Sequence, residues 1–238
     1  MKNRLIVSLD LKGLDSILSL VNNLGDEVLW YKIGAINFTA YSTILIKDLK
    51  NRGKRVFLDL KYHDIPNTVK EAVFTASTVG ADILTIHSMG GIDMMRAASD
   101  GLKEYQDKFS AQGPLIAAVT VLTSANKDTL KRDMFIDTEV EDLVLKLSEN
   151  AQKSGIRGIV ASPRETKAIK ERFGNYFSII TPGIRPKGSA KDDQSRVTTP
   201  YDAIKMGSSY IVVGRPIYKS NNPVKAVKDI IKDMEGVC

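Results

Sequence analysis

Residues 55–61 read Arg-Val-Phe-Leu-Asp-Leu-Lys, an apolar run broken by two opposite charges. Side chains on an extended strand alternate faces, so Phe57, Asp59 and Lys61 share one face and Val56, Leu58 and Leu60 the other. The Val/Leu face suits packing against a covering layer, which aims Asp59 and Lys61 the opposite way. Asp64 follows three residues on. Further polar residues sit at or near the ends of apolar runs: Asp10, Lys32, His87 and Arg215. Any one of them alone is an ordinary strand end. A structural ion pair explains Asp59 with Lys61, since buried charges are normally paired, but it does not readily explain Lys32 and Asp64 as well. Lysines alternating with carboxylates hold a lysine as its ammonium. At an effective dielectric near 20, a carboxylate about 4 Å away stabilises that charge by roughly 4 kcal/mol before desolvation. Such a lysine is a poor base but a good proton donor and anion stabiliser.

A second constellation suits an anion. Thr181-Pro182-Gly183-Ile184-Arg185-Pro186 and Val212-Val213-Gly214-Arg215-Pro216-Ile217 each close an apolar run. Glycines let backbone N–H groups approach phosphate oxygens, and an arginine can grip a phosphate bidentately. Each motif alone is a common turn, but as a pair they point to a phosphorylated ligand.

The elements that must position these residues are eight short apolar runs: Leu5–Asp10, Leu29–Gly34, Arg55–Lys61, Asp82–His87, Leu115–Leu122, Gly158–Ser162, Ser178–Ile184 and Tyr210–Arg215. Helical periodicity marks Tyr41–Arg52, Asn67–Val79, Glu139–Ser154, Pro163–Phe173 and Pro223–Met234. Near-continuous Val/Ile/Leu runs are the mark of strands buried on both faces. Eight such units predict an α/β fold, a (β/α)8 TIM barrel, with a doubly wound sheet as the alternative. The 238 residues fit one barrel domain over 1–238. In a barrel the chemistry sits at the C-terminal strand ends, and phosphate is often held by the loops after strands 7 and 8. The motifs fall in those places. Residues 124–138 read as a loop with a short helix, and 186–197, polar and Gly-containing, as a lid.

Composition excludes several classes. The net charge is +6, but lysines and arginines are scattered and not interleaved with aromatics, which argues against nucleic acid. No run approaches the roughly 20 apolar residues of a membrane span. Cys238 is the only cysteine, so an internal disulfide or a cysteine metal site is excluded, and with His63 in a loop a histidine site is not expected either. The start of the chain runs straight into a strand-like segment, and a cytoplasmic protein is expected. Trp30 and Met94-Met95 read as packing, and His87 as a hydrogen-bonding histidine rather than an acid–base group.

The segment Asp59-Leu60-Lys61-Tyr62-His63-Asp64-Ile65-Pro66-Asn67-Thr68 closely resembles the orotidine 5′-phosphate decarboxylases of bacterial type. Asp-x-Lys-x-x-Asp is shared by a wider suprafamily, whereas His-Asp-Ile-Pro-Asn-Thr is far more specific. The match continues through Asp10, Tyr31-Lys32-Ile33-Gly34, Leu122-Thr123-Ser124, Thr181–Arg185 and Val213–Pro216, in order, over essentially the whole chain. The resemblance implies that Lys61 protonates C6 of the pyrimidine, with Lys32, Asp59 and Asp64 completing the charged array. It places Asp64 and Thr68 across a homodimer interface, Asp10 and Lys32 on ribose hydroxyls, and Thr123 at the pyrimidine edge. Arg185, Gln194, Gly214 and Arg215 would hold the phosphate under the 186–197 loop, and Pro182 would contact the substrate. It also implies a reaction without cofactor or metal, the last step of UMP synthesis. The rivals are a metal-dependent sugar-phosphate decarboxylase or aldolase of the same suprafamily and a non-catalytic phospholigand sensor.

Overall fold

The computed structural model describes residues 1–186 and 198–236. Eight parallel strands close on themselves in chain order: β1 (Leu5–Ser8), β2 (Trp30–Gly34), β3 (Arg55–Tyr62), β4 (Ile83–His87), β5 (Leu115–Val119), β6 (Gly158–Val160), β7 (Ser178–Thr181) and β8 (Tyr210–Val213). β1 pairs with β2 on one side and β8 on the other. The sheet therefore has no edge, which rules out the doubly wound alternative and confirms the (β/α)8 TIM barrel.

The helices are α1 (Leu14–Leu24), α2 (Ala35–Asn51), α3 (Pro66–Thr78), α4 (Gly91–Phe109), α5 (Lys127–Met134), α6 (Val140–Lys153), α7 (Pro163–Phe173), α8 (Pro200–Lys205), α9 (Arg215–Tyr218) and α10 (Pro223–Glu235). Four of them, α3, α7, α8 and α10, open on proline, which lacks the N–H that a first turn would leave unpaired. α2 begins six residues before the periodicity suggests, because it is broken at Ser42 (φ 49°, ψ −140°). The periodic stretch is the part after the break. The short helix expected within 124–138 is α5, capped by the Asn126 side chain, which accepts from the Thr129 N–H.

The pleat sorts the side chains into two layers. Ile6, Trp30, Phe57, Ile83, Ala117, Ile180 and Val212 fill the barrel interior, one fully or nearly buried residue from each of seven strands, while β6 adds the partly buried Val160. There Gly158 lies so close to β5 that a Cβ would meet the Ile116 carbonyl oxygen at 2.7 Å. Tyr31, Ile33, Val56, Leu58, Leu84 and Ile86 face outward into the larger core under the helices. Met94 and Met95 are buried in that core, and Trp30 packs edge-on to Tyr210, so the packing reading of all three holds.

Several strands end earlier than their apolar runs. β1 stops at Ser8, two residues before Asp10, and β8 stops at Val213, so Arg215 opens α9 instead of closing a strand. Leu122, Ser162 and Ile184 likewise lie beyond β5, β6 and β7. Although Leu122 is exposed, hydrophobicity continues past the last strand pair where the chain stays covered. Leu9, for instance, is fully buried, and its N–H still reaches the Lys32 carbonyl. Among the described residues no helix is long and apolar enough to cross a membrane.

Candidate active site

The mouth at the C-terminal strand ends divides into two halves. On the β1–β4 side the charges form a chain. Asp10 reaches Lys32 at 3.3 Å, Lys32 reaches Asp59 at 3.5 Å, and Asp59 reaches Lys61 at 2.8 Å. Asp59 and Lys32 expose only 14% and 12% of their side chains, so each charge depends on its partners for solvation. Ser8 donates to Asp10 at 2.6 Å, and the buried Asn37 of α2 donates to the Leu9 carbonyl, pinning the segment that carries Asp10. Gly34 makes room for the chain. A Cβ there would lie 3.1 Å from Lys32 Nζ and 3.4 Å from an Asp10 oxygen.

Lys61 reaches Asp59 by a route the alternation argument does not contain. The β3–β4 register runs Leu58↔Leu84 and then Tyr62↔Ile86, so Asp59, Leu60 and Lys61 together lie opposite the single residue Thr85. Lys61 itself has φ +52°. A non-glycine residue in that region costs of order 1–3 kcal/mol and persists only where its surroundings impose it. In a regular strand, residues i and i+2 share a face but stand almost 7 Å apart along it. The bulge draws the second toward the first, and the ammonium ends 2.8 Å from the carboxylate. The shared-face expectation holds in its result, but its geometric reason is corrected.

Asp64 is not part of this array. It is exposed between β3 and α3, and its carboxylate accepts from the adjacent Ile65 N–H at 2.7 Å. Thr68, one turn on, is exposed as well. His87 ends β4 stacked on His63, ring centroids 5.3 Å apart, and its Nδ1 accepts from the Met89 N–H at 3.3 Å. Burial, then His63, then Lys61 push its pKa below the usual histidine value. It is a hydrogen-bonded neutral histidine, as expected.

On the β5–β8 side lies a cavity of about 620 Å³ whose lining includes Thr123, Ser124, Arg164, Pro182, Gly183 and Arg215. That volume is of the size that holds small-molecule ligands. Gly214 precedes α9, packed so that a Cβ would meet Ser8 Cβ at 3.2 Å, and it joins the two halves. Arg185 is buried at the foot of the β7 loop. Its N–H bonds the Thr198 carbonyl, and its guanidinium bonds the Ile184 carbonyl. Gln194, most of the 186–197 segment and Cys238 lie outside the described residues.

Three contributors escape sequence reasoning. Thr85 accepts from the Lys61 N–H and donates to Asp59, and Ser8 holds Asp10. Tyr218 lies within electrostatic reach of Asp10, Arg215 and Arg185, and burial, ahead of these charges, raises its pKa. A threonine inside Ile-Leu-Thr-Ile-His looks like any β-branched strand residue, and no pattern in the sequence marks Tyr218.

Comparison with known proteins assigns the ancestry of this arrangement. The family model described as orotidine 5′-phosphate decarboxylase / HUMPS matches residues 3–230. Orotidine 5′-phosphate decarboxylase of Moorella thermoacetica is 42% identical over 236 residues, covering 99% of this chain and 94% of its own. That of Staphylococcus saprophyticus is 43% identical over 236 residues, covering 99% of this chain and all of its own. The crystal structure of orotidine 5′-phosphate decarboxylase from Lactobacillus acidophilus superposes with a TM-score of 0.85 at 36% identity, covering 97% of this chain and 98% of that one. With a barrel, a charged array and relatives matched along their full length, the chain belongs to the orotidine 5′-phosphate decarboxylase / HUMPS family.

Proposed function

We propose that this chain is a carboxy-lyase that converts orotidine 5′-phosphate to UMP and CO₂, the last step of pyrimidine nucleotide synthesis, as a single barrel domain over 1–238. The observation that carries the reading is the Lys61 ammonium held 2.8 Å from Asp59, with Lys32 on the other oxygen of that carboxylate. Breaking the C6–carboxylate bond releases CO₂ and leaves an electron pair in an sp² orbital on C6, which no adjacent carbonyl delocalises. An ammonium beside C6 stabilises that pair as it forms and then gives it a proton. The interaction strengthens toward the transition state, and that is what accelerates a reaction. No cofactor or metal is needed, because one group serves as both electrostatic stabiliser and acid. Acceleration at the upper end of the usual enzyme range corresponds to about 23 kcal/mol, more than one lysine supplies. The remainder falls to preorganisation and to binding energy from the phosphate, held by Arg185, Gly214 and Arg215, with Pro182 against the substrate. Asp10 and Lys32 take the ribose hydroxyls, and Thr123 the pyrimidine edge.

The working unit is a cytoplasmic homodimer in which Asp64 and Thr68 complete the partner's site. Both are exposed, and Ile36 and Ile65, at the starts of the segments after β2 and β3, expose 72% and 68% of their surface. Apolar side chains so open, beside a carboxylate outside its own array, fit an interface that buries them.

The reading is tested by following orotidylate absorbance in EDTA, where turnover is expected to be unchanged. Dependence on an added divalent ion, or no turnover, would sink it. Mixing Lys61→Ala with Asp64→Ala protein tests the shared site. Each variant alone is expected to be nearly inactive and the mixture partly active, since every mixed dimer carries one intact site. No recovery despite demonstrated subunit exchange overturns the arrangement.

A further inference from the structure

We infer that Thr85 is a positioning residue for the reaction, fixing Lys61 at its backbone and, through Asp59, at its ammonium. The inference rests on the decarboxylase reading above. Thr85 is fully buried, and it is the one β4 residue opposite the three-residue bulge of β3. Its Oγ1 lies 2.8 Å from the Lys61 backbone nitrogen and 3.1 Å from Asp59 Oδ1, the same oxygen that meets Lys61 Nζ at 2.8 Å. The directions are forced. A backbone N–H can only donate, so the hydroxyl accepts there, and its single proton is left for the carboxylate. The three contacts close a ring that leaves Lys61 at its N–H, passes through Thr85 and Asp59, and returns to Lys61 at its ammonium.

The backbone shows why such a ring is needed. Four described non-glycine residues have positive φ: Ser42 at the break in α2, Ser110 and Phe135 at helix C-termini, and Lys61. Only Lys61 lies within a strand. A left-handed residue commonly ends a helix, where the turn satisfies its neighbours. Inside a strand that conformation interrupts the ladder, and the displaced N–H must find another acceptor. Thr85 Oγ1 is that acceptor. Without it the part-buried N–H loses its acceptor, and regular pleating, which would carry Nζ away from Asp59, becomes the better arrangement. Valine has nearly the shape of threonine and lacks only the hydroxyl, so the effect is isolated from packing.

The test compares Thr85→Val with Thr85→Ser, measuring kcat and KM for orotidylate, UMP affinity and thermal melting. An ångström of misplacement at a reacting group costs on the order of 100-fold. Thr85→Val is therefore expected to lower kcat about 100-fold, with KM and UMP affinity within about threefold of wild type, because Thr85 is fully buried and bonds Lys61 and Asp59. Thr85→Ser, which keeps the hydroxyl, is expected to restore kcat to within about fivefold. If Thr85→Val does not fold, Thr85→Ala against Thr85→Ser makes the same comparison, both lacking the methyl and differing in the hydroxyl. A kcat for the hydroxyl-free variant within threefold of wild type overturns the inference. So does an equal loss in the serine variant, or a loss that falls on KM instead of kcat. Wild-type protein without orotidylate turnover would sink the decarboxylase reading itself, a different result from an active wild type with an equally active Thr85→Val.

Discussion

The two halves of the barrel mouth are built on different principles. On the β1–β4 side, Asp10, Lys32, Asp59 and Lys61 are locked to one another at 2.8–3.5 Å. On the β5–β8 side there is a cavity of about 620 Å³, walled largely by loop residues such as Thr123, Ser124, Pro182 and Gly183. None of the four array residues lines that cavity. Charges that stabilise a transient anion must be in place beforehand, since reorganising them during the reaction would return the free energy they supply. A surface that grips a substrate has no such constraint, and loops supply backbone N–H groups and shape.

The sharpest way to break this division is to remove one member of each half. Lys61→Ala is expected to lower kcat by about 10⁴-fold or more, because electrostatic stabilisation and proton delivery are lost together. UMP affinity should stay within about tenfold. Arg215→Ala is expected to lower kcat/KM roughly 10- to 100-fold, the worth of a hydrogen bond to a charged group, with the loss shared between KM and kcat. Steady-state kinetics with product-inhibition constants separate the two. Equal kcat losses in both variants would show that the halves do not divide the labour.

A smaller perturbation tests whether the array must be tightly set. Gly34 has φ −91°, which alanine adopts freely, so Gly34→Ala carries no backbone penalty. The new methyl would crowd Lys32 Nζ at 3.1 Å and Asp10 at 3.4 Å, and the end of the lysine must move. A kcat loss of about tenfold is expected, with a melting temperature close to wild type. Unchanged kcat would mean that the Lys32–Asp59 pair tolerates displacement.

What the sequence reveals about this site follows the same division. Asp59 and Lys61 stand out because a charge in an apolar strand is costly and therefore conspicuous. Arg215 and the Pro-Gly turn stand out because glycine and proline mark turns. The barrel was legible because strands buried on both faces have to be apolar throughout. Strand ends were not, since Leu9 is as buried outside the ladder as the residues within it. The bulge in β3 was hidden as well. It depends on how β3 registers against β4, and no local propensity records the pairing of two segments some 24 residues apart. Thr85 shares that concealment, because its role exists only through the register. Asp64 lies three residues from Lys61 in sequence, and the resemblance rather than the spacing assigns it to a partner's site.

The smallest expected effect concerns His87, the neutral member of the charged half. Its pKa lies below the ordinary value, first through burial, then through His63 and Lys61. The unfolded chain therefore binds a proton at a higher pH than the folded one. Stability from this group is fully present above about pH 6.5, the unfolded value, and is lost as pH falls toward the folded pKa. The Met89 N–H bonded to Nδ1 has the same consequence, because a protonated Nδ1 cannot accept it. His87→Gln removes the titration while keeping an acceptor. Urea unfolding at pH 7.5 and pH 5 is expected to show wild type losing more stability than His87→Gln over that interval. If both proteins lose the same amount, the ring beside Lys61 is not held neutral by the fold, and the charged half tolerates a further cation.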